Sequence, residues 1–209
     1  KFKSDNVYGS KEVGWYEQDE EKRLASNKFN LNLYDDQFLI ETDKLPYTIG
    51  DLPLVFTHFR KKVEKLVQIR DEVKISNKKF EIKNYDFEYE TSNESGEIEI
   101  NKNSNFPFVG GETSALKRLD SYLWGDNRIK KYKETRNGLI GTEYSSKFSS
   151  FLSLGCVSPV TIYHEIKRYE KKIIKNSSTY WLIFEILWRE FFRYVYLKGG
   201  KNIFLRDGI

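Results

Sequence analysis

One long apolar segment constrains the fold more than any other feature of this chain. A helix cap is predicted at Ser177-Ser178-Thr179, the helix continues to Lys198, and Gly199-Gly200 predict its end. The segment is apolar nearly all round, which is typical of the central helix of an α-helical domain. Four charged side chains interrupt it, and they argue against a membrane span: Glu185, Arg189, Glu190 and Arg193.

Three residues of this helix form a polar and aromatic group. Glu185, Trp188 and Arg189 are three and four residues apart, so they share one side of the helix. Their spacing is also that of an ordinary helical ion pair between Glu185 and Arg189. The group is a candidate site, and the ion pair is the alternative.

A second candidate site lies in the segment YSSKFSSFLSLGCVSP. Hydroxyls at Ser145, Ser146 and Ser149, with Lys147 beside them, stand at a predicted helix start and suit a phosphate or diphosphate. The alternative is an ordinary cap cluster, in which Ser149 or Ser150 caps a short helix over residues 151–154. Gly155 would end that helix.

The rest of the second half has further helix patterns. Residues 112–125 predict a helix that ends at Gly125, and Asn137-Gly138 predict a tight turn. Ser158-Pro159 begin another helix, with a cap and a first-turn proline. The apolar faces of the two helices are predicted to be Ala115, Leu116, Leu119, Tyr122 and Leu123 in the first, and Ile162, Ile166, Tyr169 and Ile173 in the second.

The first part of the chain alternates strands and helices, which indicates α/β architecture. Residues 6–9 and 31–34 predict strands, residues 15–26 a charged helix, and residues 38–40 could be another strand. A further helix is predicted to start at Asp51-Leu52-Pro53, with a buried face of Val55, Phe56, Phe59 and Val63. These units are too few for a complete doubly wound domain.

Charge and periodicity divide the chain into three. Up to residue 106 it carries 17 basic and 21 acidic residues, and beyond that 18 and 10, so only the second part suits a polyanion. Residues 66–105 are polar and weakly patterned, long for a loop within one domain. The predicted domains are therefore 1–65 and 106–209, with a connector over 66–105 in which 80–82 and 98–100 permit a small hairpin.

Other single residues suggest little chemistry. His58 and His164 have no second imidazole nearby, so no metal site is predicted. Cys156 is the only cysteine, which excludes disulfides, fits a reducing compartment and is typical of a small packing residue. The basic run over residues 167–172 is either a solvated face or a DNA-facing surface.

Several long blocks together resemble one family. GGETSALKRLDSYLW, YKETRNGLIG, YSSKFSSFLSLGCVSP and STYWLIFEILWREFFRYVYLKGGKNIF closely resemble the cryptochrome and photolyase family, in particular its DASH-type branch. KEVGWYEQDEE and DKLPYTIGDLPLVFTHFRKKVE resemble the later portion of that family's α/β antenna domain. The likeness implies a multi-domain chain: the C-terminal part of a Rossmann-like α/β antenna domain, then the first half of a helical FAD-binding domain.

The resemblance also implies an activity. It implies an FAD-dependent, blue-light-driven DNA photolyase that repairs cyclobutane pyrimidine dimers, mainly in single-stranded DNA, by electron transfer from reduced flavin. The alternative on the same fold is a blue-light photoreceptor or a nucleic-acid-binding regulator. A folate antenna, 5,10-methenyltetrahydrofolate, would fall near Glu12 and Glu17, for which a solvated acidic helix end is the other reading.

Site residues are carried over position by position. Those that the resemblance implies for FAD are Tyr132, Ser145, Ser146, Lys147, Phe148, Ser149 and Arg189. Glu185 and Trp188 match positions that face the flipped dimer, and Arg136 matches one that contacts the DNA backbone. From the residues alone, Arg189 is expected to balance the Glu185 carboxylate.

The family's remaining helices and the first half of its antenna domain have no counterpart in this chain. Together with the absence of methionine, this predicts an internal piece that alone is inactive. The parent is expected to be a monomer and not secreted, cytoplasmic in a bacterium and organellar or nuclear in a eukaryote.

Overall fold

The computed structural model describes residues 5–26, 30–73, 100–101 and 103–209. Its strands and helices, in chain order, are β1 (Asn6–Ser10), α1 (Trp15–Ala25), β2 (Asn30–Tyr34), α2 (Phe56–Leu66), α3 (Glu112–Asp120), α4 (Tyr132–Thr135), α5 (Phe148–Ser153), α6 (Pro159–Lys172) and α7 (Ser177–Gly199). A π-helical turn, Ser121–Gly125, extends α3. Short 3-10 helices cover Thr42–Lys44, Arg128–Lys131 and Gly200–Phe204.

A small α/β unit opens the described chain. β1 and β2 pair in parallel, from Asn6 opposite Asn30 to Ser10 opposite Tyr34, and α1 makes the crossover between them. Parallel neighbours need such a crossover because a tight hairpin can join only antiparallel strands. Both strand predictions and the α1 prediction are confirmed.

The third predicted strand, residues 38–40, is wrong. Phe38, Leu39 and Ile40 are buried, but the segment is irregular, and the N–H groups of Leu39 and Ile40 donate to the Glu190 carboxylate at 2.8 and 3.5 Å. A side chain therefore satisfies the backbone groups that a neighbouring strand would otherwise pair.

Helix α2 begins later than predicted. It starts at Phe56, so Asp51-Leu52-Pro53 precedes the helix instead of forming its first turn. Phe56, Phe59 and Val63 form its buried face as predicted, whereas Val55, the residue before the helix, is exposed.

Two predicted apolar faces are each wrong at one position. In α3, Leu116 is exposed and Arg118 is buried in its place, next to Ala115 and Leu119. In α6, Ile162, Ile166 and Tyr169 are buried, whereas Ile173 lies just after the helix and is exposed.

Helix starts also depart in part from the prediction. The Ser158 side chain accepts from the Val160 N–H with Pro159 at the first turn, which confirms the start of α6. The capping residue of α7 is Asn176 instead of the following serines, and it forms a capping box with Thr179. Helix α5 begins at Phe148 after Lys147, and neither Ser149 nor Ser150 caps it.

Helix α7 lies at the centre of the core, as its apolar surface predicts. One side packs against α4 and α6, and another contacts α2 and residues 37–40 of the α/β unit, of which 38–40 are buried. Phe38 and Tyr194 stack at 4.8 Å between ring centroids, the Tyr194 hydroxyl donates to the Ile40 carbonyl, and the Lys198 ammonium donates to the Leu52 carbonyl at 2.7 Å. We call this contact of α7 with residues 37–40 and Leu52 the joint between the α/β unit and the helical part, and it is both apolar and hydrogen-bonded.

The predicted connector is described only at its ends. Arg70 donates to Glu41 and to the carbonyls of Asp36 and Phe38, and His164 bonds the Arg70 carbonyl at 2.8 Å, so this end lies along the joint. The candidate hairpin falls outside the described residues, apart from residue 100, and the domain boundaries remain a prediction. Within the described ranges, no helix has the length and apolarity to cross a membrane.

Candidate functional site

Tyr132, the first residue of α4, joins the two candidate sites. It is 7% exposed, and its ring meets Tyr122 edge-on at 6.4 Å. Burial, followed by the neighbouring Glu185 carboxylate, raises the pKa of Tyr132 to about 12, while Arg136 and a hydrogen bond with Ser146 act in the opposite sense. A neutral phenol thus lies between the serine segment and the polar side of α7.

The serine segment forms a turn with unsatisfied donors. Lys147 adopts φ = 61°, an uncommon left-handed conformation for a residue with a side chain, while Ser146 and Phe148 are buried and Ser149 is exposed. The N–H groups of Ser146 and Lys147 have no acceptor among the described residues. Donors of this kind suit an anion.

A buried arginine, which the sequence analysis missed, supports this turn from behind. Arg118 is 5% exposed; its Nε donates to the Ser146 carbonyl at 3.1 Å and its Nη2 to the carbonyls of Thr142 and Ser145 at 2.6 and 3.2 Å. Its guanidinium also lies over the ring of Tyr122 at 4.9 Å. The available signal was its spacing, three residues after Ala115 and one before Leu119, inside an apolar stripe.

On α7, Glu185 pairs with Arg136 instead of Arg189. Arg136 Nη1 lies 2.8 Å from Glu185 Oε1, and both side chains are about a third exposed, 31% and 30%. The residue expected to contact DNA thus holds the carboxylate expected to face the dimer. Glu185 is an accessible, paired carboxylate.

Aromatic rings surround this pair. Trp188 is stacked on Phe56 at 3.7 Å between centroids and also on the exposed Phe192 at 5.3 Å. Two turns before Trp188, Trp181 lies under two cations, Lys133 at 4.7 Å and Arg136 at 5.5 Å. Phe56 and Trp181 were not identified as site residues from the sequence.

Arg189 faces another direction, so the prediction that it balances Glu185 is wrong. Its Nη1 donates to Glu190 Oε1 at 2.7 Å and to the Gln37 carbonyl at 3.2 Å. The reason is Glu190, which is fully buried next to it and has the stronger need for a counter-charge. Burial raises the pKa of Glu190 to about 7, and Arg189, the two N–H groups of residues 39–40 and Arg193 oppose that rise.

Arg189 also lines a polar cavity of about 900 Å³ between the α/β unit and the loop that joins α5 to α6. Other residues of its wall are Arg70, Glu12, Asp36, Ser158 and Arg193. Neither residues 145–149 nor Trp188 line this cavity. Its walls carry both charge signs, so it does not select an anion.

The remaining residues singled out in the sequence are solvent-exposed, partly buried or paired with neighbouring side chains. Glu12 Oε1 accepts from Gln37 at 2.7 Å, and Glu17 is exposed on α1. His58 is exposed, and Cys156 is a free, partly buried thiol. In the basic run, Lys167 pairs with Glu170 and Arg168 with Glu72 and Glu165. The described residues contain no group of histidine, cysteine, aspartate or glutamate that could hold a metal.

The face around Tyr132 fits a flavin dinucleotide in its donor set. Besides the free N–H groups of the serine segment, the Tyr122 hydroxyl is buried and has no hydrogen-bond partner among the described residues. A buried donor without a partner next to a hydroxyl-rich turn is unusual in a folded protein, since such groups are nearly always satisfied. A diphosphate has the acceptor oxygens that these donors lack.

Curated relatives match nearly the whole chain. It is 42% identical over 210 residues to a protein called cryptochrome DASH from Synechocystis sp.. The aligned region covers 97% of this chain and 43% of the relative. A cryptochrome DASH from Danio rerio is 41% identical over 95% of the chain, and a chloroplastic/mitochondrial one from Arabidopsis thaliana is 36% identical over 99%. The chain spans about two fifths of the length of these relatives. No family model matches it.

Solved structures of a cryptochrome and of a photolyase are also similar to this chain. The Synechocystis sp. cryptochrome crystal structure superimposes on 98% of the chain with a TM-score of 0.82 and 41% identity, and the chain covers 44% of that structure. A class III photolyase from Agrobacterium tumefaciens gives a TM-score of 0.72 at 21% identity over 92% of the chain and 41% of the photolyase, which supports the fold alone. The predicted fold class, part α/β and part helical, is confirmed.

Proposed function

Because this chain belongs to the cryptochrome and photolyase family, we propose that it is the part of a flavoprotein that holds FAD and presents pyrimidine dimers to it. The proposed activity is blue-light-driven repair of cyclobutane pyrimidine dimers, chiefly in single-stranded DNA. The relatives' names support the DASH branch, and the substrate is our proposal.

One observation carries the proposal. The buried phenol of Tyr132 interacts both with Ser146 and with the ion pair of Glu185 and Arg136. The candidate cofactor residues and the candidate substrate residues are thereby neighbours, as a cofactor that acts directly on a bound base would require.

The cofactor residues would bind and orient. Ser145, Ser146 and Ser149, with Lys147 and Phe148, would hold the FAD diphosphate and pack against it, and the neutral Tyr132 would exclude water beside it. Bound FAD, in its reduced form and excited by blue light, would supply the electron that splits the cyclobutane ring and would take it back afterwards. Arg189 stands one residue beyond Trp188, and its contact with the cofactor is part of the proposal.

The substrate residues would recognise the dimer outside the helix stack. Trp188, held in place by Phe56, would stack on an extruded pyrimidine, an interaction of about 1–3 kcal/mol per base. Glu185, oriented by its ion pair with Arg136, would accept hydrogen bonds from pyrimidine N–H groups. Arg136 is close enough to contact the DNA backbone while it orients Glu185. Extrusion costs least in single strands, which favours that substrate.

Trp188→Ala in the whole protein tests the pocket. We expect weaker binding of a dimer-containing single strand by about 1–3 kcal/mol, with flavin absorption retained, because the stacking surface is removed while the proposed FAD residues remain. Trp124→Ala is the matched control; this indole bonds Glu165 at 3.0 Å and packs on Tyr169, away from the face. Loss of flavin with unchanged dimer affinity would contradict the assignment.

The activity needs its own measurement. We expect illumination of the purified protein to restore dimer-containing single strands faster than duplexes. Photoreduction of bound flavin without restored pyrimidines would favour the photoreceptor alternative. A flavin-free protein that FAD cannot reconstitute would overturn the proposal.

A further inference from the structure

Arg118 is a buried cation without a matching anion in the described chain. Its three nitrogen contacts are all backbone carbonyls, and none of the ion pairs among the described residues includes it. The carboxylate with the largest electrostatic effect on it, Glu143, is paired with Arg128 at 2.8 Å, and Asp126 has a smaller effect. Burial lowers the pKa of Arg118, yet a guanidinium stays charged at neutral pH. Buried charges are normally paired, so this one indicates an anion close by.

The hydrogen bonds of Arg118 also fix the direction of the donors in the turn. In a planar trans peptide, the C=O of one residue and the N–H of the next point in opposite directions. With the carbonyls of Ser145 and Ser146 turned toward Arg118, the N–H groups of Ser146 and Lys147 must point away from it. Neither of these two amides bonds an acceptor among the described residues.

We propose that Arg118 is a positioning residue for the dinucleotide diphosphate: it draws three carbonyls inward, aims the Ser146 and Lys147 amides outward, and places a positive charge behind the turn. This inference rests on the proposed function. Two rings hold the guanidinium in place, Phe108 at 5.1 Å and Tyr122 at 4.9 Å. Arg118 itself touches the turn and not the cofactor, so its effect reaches the diphosphate through the backbone.

Arg118→Lys in the whole protein is the decisive variant, and Arg118→Met is expected to have the larger effect on FAD binding. Lysine keeps the charge but cannot bond three carbonyls in a fork. We expect FAD to dissociate about 10- to 100-fold faster from Arg118→Met, with Arg118→Lys in between, because charged hydrogen bonds of this strength are lost. The measurements are the fluorescence of released FAD and the ³¹P NMR shifts of the bound diphosphate. The diphosphate shifts should move while the isoalloxazine absorption bands stay.

Arg128→Met is the matched control. Arg128 is a neighbouring arginine that pairs with Glu143 but bonds no carbonyl of the turn, and its side chain is 47% exposed. It should retain wild-type dissociation and ³¹P shifts. If Arg118→Lys folds with the wild-type melting temperature and keeps both the wild-type FAD dissociation rate and the wild-type ³¹P shifts, the positioning role is overturned while the proposed function stands. If the wild-type protein binds no flavin, the proposed function fails first.

Discussion

The ion pair of Glu185 and Arg136 affects both the stability of the fold and the orientation of the two side chains. The pair is about a third exposed, so its contribution to stability is modest, about 0.5–1 kcal/mol. Its larger effect is on orientation, because each partner limits the rotamers of the other. Glu185 alone would be a mobile carboxylate at the edge of the face.

Arg136→Met should therefore weaken binding of dimer-containing strands and lower the salt dependence of that binding by about one phosphate contact. Lys133→Met is the matched control, since Lys133 also lies over Trp181 but has no ion pair with Glu185. Affinity is measured by fluorescence anisotropy over a series of salt concentrations. Equal salt slopes in wild type and Arg136→Met would contradict a backbone contact.

Glu190 predicts a pH dependence of folding. Its pKa is raised to about 7 by burial, so the folded state holds the proton more tightly than the unfolded chain. The resulting stabilisation is complete below the ordinary carboxyl pKa and is lost as the pH rises toward 7. Over that interval the unfolding free energy should fall by a few kcal/mol at most, about 1.4 kcal/mol per pKa unit.

The test compares wild type with Glu190→Gln by urea unfolding at several pH values. Other groups titrate in both proteins, so only their difference is informative. Arg189, Arg193, Tyr194 and the amides of residues 39–40 remain around position 190 in both. A difference that stays constant from pH 4.5 to pH 7 would show that Glu190 does not titrate there.

At the scale of elements, the start of α7 depends on one side chain. Asn176 accepts from the N–H groups of Ser178 and Thr179, both at 2.9 Å, and its amide donates to the Lys130 carbonyl at 3.0 Å. Asn176→Ala should lower the unfolding free energy by about 0.5–2 kcal/mol. Ser177→Ala, the neighbouring exposed position, should change it little. The same loss in both variants would mean that the cap is not specific to Asn176.

Lys147 separates backbone strain from charge in the serine segment. Lys147→Gly should stabilise the flavin-free protein by up to about 1 kcal/mol, because glycine adopts φ = 61° without strain. Lys147→Ala keeps the strain and removes only the charge. Both should release FAD faster than wild type, as measured by flavin fluorescence. If only the glycine variant lost FAD, the charge would have no role.

Helical periodicity predicted elements well and their ends poorly. The sequence identified α6, α7 and the buried positions of α2, because a 3.6-residue apolar repeat is a direct consequence of packing. It placed Leu116 inside and left Arg118 out, since periodicity assumes that a charged residue avoids the core. It also assigned a strand to residues 38–40, where burial is real but the backbone partner is the Glu190 carboxylate. Contacts between residues about 150 positions apart leave no local pattern.

The candidate site was predictable by residue type and resemblance, and not by contact. Tyr132, Ser146, Glu185 and Arg136 were named in advance, and the structure makes them neighbours. The predicted partner of Glu185 was wrong because spacing along one helix favours Arg189, whereas the actual partner, Arg136, lies just after α4. A choice between two arginines depends on tertiary packing, which spacing does not report.

For the whole molecule, the joint on α7 predicts that the α/β unit and the helical part unfold together. Phe38 is the centre of that joint: it is 2% exposed, stacks on Tyr194 and lies under the Arg193 guanidinium at 4.6 Å. The backbone around it is bound by Glu190 and Tyr194 from α7 and by Arg70 from the far side. Neither part can lose this segment without exposing buried polar groups of the other.

Phe38→Ala should therefore cost about 3–5 kcal/mol and lower the midpoint of one shared transition instead of splitting it. Amide hydrogen exchange in the whole protein can follow β1 and β2 separately from α6 and α7, and their protection should fall by the same free energy. Leu24→Ala is the control; Leu24 is a 44%-exposed leucine on α1 that is absent from the joint, and its loss should change protection little. If exchange in α6 and α7 stayed at the wild-type level while the strands exchanged faster, the two parts would be independent, and the polar contacts of α7 with residues 37–40 would be too weak to couple them.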